Sequence, residues 1–216
     1  MILLAGKDVF WISREYARRS TGLNLRTEFR TMGNYRTTIG IVGASRIGRR
    51  LLELLRPFDF DVLVYDPFLS PEEAEKLGAR ACELEELVRS SSIVSLHAPA
   101  IPQTHHLIDQ QLVSLMPDGA ALINTARPSL VDQDALITRL RSGRIRAILD
   151  VTDPGELPED HELRSLTNVY LTPHLAGSQG NELLRVGQSA LEEALRLSSG
   201  TPLRHEVSLA DLARMA

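Results

Sequence analysis

Short runs rich in Val, Ile and Leu alternate with helix-length stretches from residue 38 onward, and this constrains the chain more than anything else in it. The runs are Thr38–Val42, Asp61–Asp66, Ile93–Ala98, Ala121–Thr125, Ala147–Val151 and Val169–Thr172. They are nearly continuous in apolar residues, as strands are when helices cover both faces of their sheet. Helices are expected at Arg49–Arg56, after the capping box Ser70-Pro-Glu-Glu73, and at Glu83–Ser90, Asp109–Met116, Asp132–Ser142 and Asn181–Ser199. Alternation of this kind with short loops predicts right-handed crossovers and a doubly wound parallel α/β sheet.

Composition removes the competing classes. With 216 residues, 43% of them hydrophobic, the chain can bury a full domain core and is too apolar to be disordered. A single cysteine, Cys82, rules out an intrachain disulfide and thiolate clusters; it reads as a small buried hydrophobe. No apolar run is long enough to span a bilayer, and residues 1–5 lack the flanks of a signal peptide. A cytoplasmic protein without membrane contact is the expectation.

Residues 1–36 hold seven Lys/Arg against three Asp/Glu, whereas the whole chain carries a net charge of −4. The acidic body argues against nucleic-acid binding. The basic arm (Arg14, Arg18, Arg19, Arg26, Arg30, Arg36) either touches phosphates or, as is commoner, is a solvated helix face and linker. Residues 1–20 read as one helix with Ala5, Val9, Ile12 and Tyr16 on one face.

The first strand ends in Gly43-x-Ser45-x-x-Gly48, a dinucleotide fingerprint with its second glycine replaced. Gly43 permits the tight turn, Gly48 the close approach of helix to strand, and the helix N-terminus suits a diphosphate. Ser45 adds a Cβ where backbone amides approach the phosphates, and a hydroxyl able to donate to them. Asp66 ends the second strand, where a carboxylate accepts ribose hydroxyls and repels a 2′-phosphate, so NAD is the expected cofactor. A short-chain reductase is disfavoured because no Tyr has a Lys four positions on.

From Thr38 onward the chain resembles the D-isomer-specific 2-hydroxyacid dehydrogenases. The resemblance rests on IGIVGASRIGRRLLELL, VLVYDP, VSLHAPAIPQTHHLI, LMPDGAALINTARPSLVD, AILDVTDPGELP and NVYLTPHLAGS, in that order. It implies oxidation of a small 2-hydroxy acid, or reduction of its 2-oxo counterpart, with NAD. Arg127 would hold the substrate carboxylate and His174 would be the acid/base. Arg46 and Ile47 would join Gly43, Ser45, Gly48 and Asp66 at the cofactor. Thr125, Ala126 and Arg127 would line its far side, and Asp150 would meet the nicotinamide end. His97, His174, Ala176 and Gly177 would complete the pocket. No metal is expected: His105 and His106 are adjacent and should diverge.

Three departures qualify the resemblance. The carboxylate that orients the acid/base histidine is expected at Gly155, and Glu156 comes one position later, a partial substitute. Pro128 follows Arg127 in place of glycine and should hold the arginine extended. The family's N-terminal substrate lobe has no counterpart in these residues. The expected division is an N-terminal helix and arm over residues 1–37, a NAD-binding domain over 38–200 and a tail over 201–216. The apolar faces of arm and tail should be exposed unless a partner covers them, with homodimerisation through the arm as one remedy. The alternatives to an active enzyme are a catalytically silent NAD(H)-binding module and a subunit completed by a separate lobe.

Overall fold

The computed structural model describes residues 1–19, 22–30 and 32–209. Seven strands form one parallel sheet in the order β3-β2-β1-β4-β5-β6-β7. They are β1 (Thr38–Val42), β2 (Asp61–Tyr65), β3 (Arg80–Ala81), β4 (Ile93–Leu96), β5 (Ala121–Asn124), β6 (Arg146–Leu149) and β7 (Val169–Leu171). Register is continuous across the sheet, with Ile39 level with Val62 on one side and Ile93 on the other. The chain winds outward from β1 to β3, crosses back to β4 beside β1, and winds outward again. That reversal opens a crevice at the carboxyl ends of β1 and β4. The expected doubly wound α/β fold is the fold observed.

The helices are α1 (Ile2–Gly6), α2 (Val9–Arg18), α3 (Leu25–Glu28), α4 (Arg46–Leu55), α5 (Pro71–Lys76), α6 (Leu84–Ser90), α7 (Gln110–Leu115), α8 (Gln133–Arg141), α9 (Glu162–Ser165) and α10 (Glu182–Ser198). Their starts follow side-chain caps: Ser45, Ser70, Asp109 and Asp132 each accept from an amide of the first turn. The Ser45 cap moves the start of α4 three residues ahead of the expected Arg49. One core packs Leu87, Val113, Leu136 and Leu140 against Val94, Leu122 and Leu149 on one face of the sheet. A second packs Leu52, Leu55, Ala5 and Trp11 against Ile39, Ile41, Ile123 and Ile148 on the other. Each buried aliphatic side chain contributes roughly 1.5–3 kcal/mol by leaving water.

The arm departs from its expected form. Residues 1–20 do not make one helix, because Asp8 takes a left-handed conformation, φ 52°, and separates α1 from α2. The buried face is also different: Ile2, Ala5 and Trp11 are buried, while Val9 and Tyr16 are exposed. Three contacts set that face. Arg146 at the start of β6 pairs with Asp8 and lies over the Trp11 ring, 4.9 Å from its centroid. Phe10 packs on Tyr170 at 4.2 Å. The Arg14 guanidinium donates to the carbonyls of Leu166, Thr167 and Val169.

By contrast, α10 buries none of its residues, and Leu183, Leu184, Leu191, Leu195 and Leu197 are exposed. The tail folds back on it, the Glu193 carboxylate accepting from the amides of Arg204 and His205. Residues 210–216 of the expected tail lie outside the described residues.

Candidate functional site

Because every strand is parallel, the segments following β1, β2, β4, β5, β6 and β7 all emerge on one edge of the sheet. That edge collects Gly43–Gly48, Asp66, Ala98, Arg127, Asp150 and His174, which lie far apart in sequence. A cleft of about 650 Å³ opens there, its wall including Gly43, Ser45, Asp66, Phe68, Pro99 and Ile101.

The glycine turn is built as the motif requires. Gly43 has φ +98°, and a Cβ on it would stand 2.5 Å from the Ala98 backbone nitrogen. A Cβ on Gly48 would stand 2.1 Å from the Gly43 carbonyl oxygen. Both positions therefore admit only glycine without backbone movement, and α4 starts at the cleft, where Ser45 and Arg49 line the wall. Ser45 Oγ accepts from the Gly48 amide at 3.2 Å, which leaves its hydroxyl proton free to donate. Arg46 and Ile47 are exposed at the same helix start. The Asp66 carboxylate accepts from the Ala44 amide at 2.7 Å and from the Phe68 amide at 2.9 Å. It is thus tied to the glycine turn itself, and each oxygen keeps lone-pair capacity for a ribose hydroxyl. A glycine turn that holds the start of α4 tight against β1, a serine hydroxyl free to donate there and an adjacent carboxylate fit a dinucleotide.

At the other half of the edge, Arg127 is exposed and extended, φ −143° and ψ 143°, with Pro128 opening a single 3-10 turn over Pro128–Leu130. The proline thus imposes the extended backbone expected of it. Thr125 and Ala126 are half-buried beside it. Asn124, buried at the end of β5, donates to the Arg127 carbonyl at 2.9 Å and accepts from the Ala126 amide at 3.1 Å. This clamp escaped the sequence reading, although a buried-looking amide one residue before the loop was a signal for it. The loop after β4 is laced to the same turn, with the His106 amide on the Ser129 carbonyl at 2.7 Å.

His174 is exposed and left-handed, φ 54°, its amide donating to the carbonyls of Asp150 and Thr172. The buried Asp150 carboxylate accepts from the amides of Leu175 at 2.8 Å and Ala176 at 2.9 Å, and from the Thr172 hydroxyl. Asp150 thus anchors the loop that carries His174. Gly177 is exposed beyond that anchor, with nothing within 4 Å of an added Cβ.

One expected member stands apart. Glu156 is exposed, and among the described residues no hydrogen bond or ion pair joins it to His174. The Thr152 hydroxyl instead turns this loop onto its own Pro154 carbonyl at 2.9 Å. His97 packs against the glycine turn: its carbonyl carbon would stand 2.8 Å from a Cβ on Gly43 and its Cβ 3.4 Å from one on Gly48. Its Nε2 lies 2.8 Å from Ser95 Oγ, and burial pushes its pKa down to about 4. His105 and His106 do not diverge: the left-handed His106, φ 51°, turns the second ring onto the first, with centroids 4.0 Å apart.

Comparisons with known proteins agree in kind. A model of the D-isomer specific 2-hydroxyacid dehydrogenase NAD binding domain matches residues 1–176. The chain is 34% identical over 173 residues to D-3-phosphoglycerate dehydrogenase of Archaeoglobus fulgidus, covering 80% of this chain and 33% of that one. It is 37% identical over 164 residues to glyoxylate reductase of Aeropyrum pernix, covering 76% of this chain and 49% of that one. The apo crystal structure of Rhodotorula graminis D-mandelate dehydrogenase superposes with a TM-score of 0.81 at 28% identity, over 96% of this chain and 63% of that one. The chain therefore spans a third to a half of the length of these curated relatives.

Proposed function

This chain belongs to the D-isomer specific 2-hydroxyacid dehydrogenase family through its NAD-binding domain, and from that premise we propose that it acts in NAD-dependent interconversion of a small 2-hydroxy acid and its 2-oxo acid. The observation that carries the reading is the bond from the Ala44 amide to Asp66, which makes diphosphate cradle and ribose acceptor one unit. Bound NAD supplies the hydride acceptor at the substrate carbon. Gly43, Ser45, Arg46, Ile47 and Gly48 hold its diphosphate, Asp66 its ribose, and Thr125, Ala126, Asp150 and Gly177 flank the nicotinamide end.

Arg127 takes the substrate carboxylate through paired N–H donors and draws electron density from the neighbouring oxygen. His174 removes the hydroxyl proton in oxidation and returns it in reduction. Its loop is held by the Asp150 carboxylate, so the imidazole stands on a fixed backbone at the end of β7. Residues 1–37 serve as the arm, 38–200 as the cofactor domain and 201–216 as the tail. A homodimer belongs to the same reading, supported by the exposed Leu3, Leu4 and Val9 of the arm. Sedimentation at micromolar concentration should show twice the 23.9 kDa chain mass.

A second reading, a silent NAD(H)-binding module, is favoured by Glu156: without a carboxylate on His174 the imidazole lacks the partner that fixes its tautomer. The two separate in one experiment. NADH fluorescence is titrated, and reduction of glyoxylate, hydroxypyruvate and pyruvate is then followed. Saturable binding with slow turnover is expected. Binding without turnover selects the silent module, and no binding at millimolar NADH overturns both. A Gly155→Glu, Glu156→Pro variant restores the carboxylate position, and turnover should rise at least tenfold, on the order of what an orienting partner contributes elsewhere.

A further inference from the structure

We infer that Arg49 is a cofactor-binding residue of this cleft, its guanidinium closing on a diphosphate oxygen of the dinucleotide. The inference rests on the dinucleotide reading above and adds a side chain that the glycine motif does not include.

Arg49 lies within the first turns of α4, half-buried in the wall of the cleft with Asp66 and Phe68. Its Nε donates to the Ala44 carbonyl at 3.0 Å, which folds the side chain back across the glycine turn instead of letting it extend into solvent. Among the described residues no carboxylate lies within ion-pairing distance of it, and its two terminal nitrogens make no hydrogen bond. Arg50 next to it behaves differently, pairing with Glu53 on the outer face at 2.7 Å.

In the protein alone the guanidinium sits at a helix end, and the carboxylate that shares its cleft wall, Asp66, is engaged by the Ala44 and Phe68 amides. The start of α4 already carries the positive end of the helix dipole, and no acidic residue stands in its first turn. A cation partly withdrawn from water at such an end is disfavoured twice, by the dipole and by desolvation. An anion offsets both costs, because amides, dipole and guanidinium then act on one negative charge. The anion is the diphosphate and not a ribose 2′-phosphate. Arg49 is bonded to the turn on which the diphosphate lies, and the Asp66 carboxylate beside that turn repels a further phosphate on the ribose.

The test is calorimetric titration of the 216-residue protein, wild type, Arg49→Gln and Arg49→Lys, with NADH, ADP-ribose and adenosine. Arg49→Gln should weaken NADH and ADP-ribose about tenfold or more, the scale of one charge-assisted bond, and leave adenosine unchanged. Arg49→Lys should fall between. Without ligand, Arg49→Gln should melt within a few degrees of wild type, since the lost Nε bond to the Ala44 carbonyl is offset by removing a charge the helix end disfavours. NADH binding by Arg49→Gln within threefold of wild type overturns the inference, as does an equal loss for adenosine. Failure of wild type to bind NADH instead removes the cofactor reading itself.

Discussion

Two side chains at the edge of the sheet illustrate how burial and backbone geometry set chemistry residue by residue. The His97 ring sits beside Ser95 next to the glycine turn, and burial lowers its pKa to about 4. It stays neutral at pH 7. On acidification the unfolded chain takes up the proton near pH 6.5, while the native state resists until about pH 4. Stability supplied by this site is complete above pH 6.5 and is lost on descent to pH 4, by up to about 3 kcal/mol. Thermal melts of His97→Gln should be flatter than wild type across that window; parallel curves would show that the ring is not the titrating group. Gly48 is a second case. Its virtual Cβ meets the Gly43 carbonyl at 2.1 Å, so Gly48→Ala must push α4 off β1. NADH affinity should drop at least tenfold with a melting temperature lowered by several degrees, both read in one thermal-shift titration.

At the level of elements, the arm behaves differently from a loose linker. Asp8 precedes α2 in a left-handed backbone, its carboxylate buried against Arg146 and not on the helix amides. One of its carboxylate oxygens has no hydrogen-bond partner among the described residues. Burial raises the carboxyl pKa, and Arg146 pulls it back without cancelling the effect. The pair is therefore held by its surroundings more than it stabilises them. Arg146→Met should destabilise the protein by about 3–5 kcal/mol by leaving the carboxylate buried alone, and adding Asp8→Asn should recover much of that loss. Urea unfolding of the two variants checks it; equal stabilities would mean the arm is docked by Phe10 and Arg14 alone. The helical period of residues 1–20 could not reveal this. Periodicity identifies an apolar stripe, whereas the break at Asp8 and the choice of Trp11 over Val9 as the buried residue depend on Arg146, 138 positions from Asp8.

For the molecule as a whole, the parallel sheet does the assembling. Once β1 through β7 run the same way, the ends of six of them must present their following loops together. Ligand binding to that edge should then stabilise the whole body, because the cleft is made from segments that separate on unfolding. NADH at one hundred times its dissociation constant should add about 2.7 kcal/mol. Differential scanning calorimetry reads this as a concentration-dependent rise in melting temperature, and a melt indifferent to NADH would count against the edge as a binding site. Six of the seven strands were legible in the sequence to within two residues at either end. The two-residue β3 was not, because so short a run has no period to detect. The candidate site was legible as residue types at strand ends. Its supports were not: Asn124 under Arg127, Asp150 under the His174 loop, and Arg49 in the wall of the cleft.

What the chain's letters determined by themselves was local. Alternating apolar runs, capping residues and the Gly43–Gly48 turn specify strands, helix starts and a tight glycine bend through interactions spanning a few residues. The tertiary structure decided which polar groups meet: Asp66 with Ala44 across 22 positions, Asp150 with Leu175 across 25, and Glu156 with none of the proposed catalytic groups. Those pairings follow from strand order and from the exact paths of loops, and neither is written in the periodicity of a single segment.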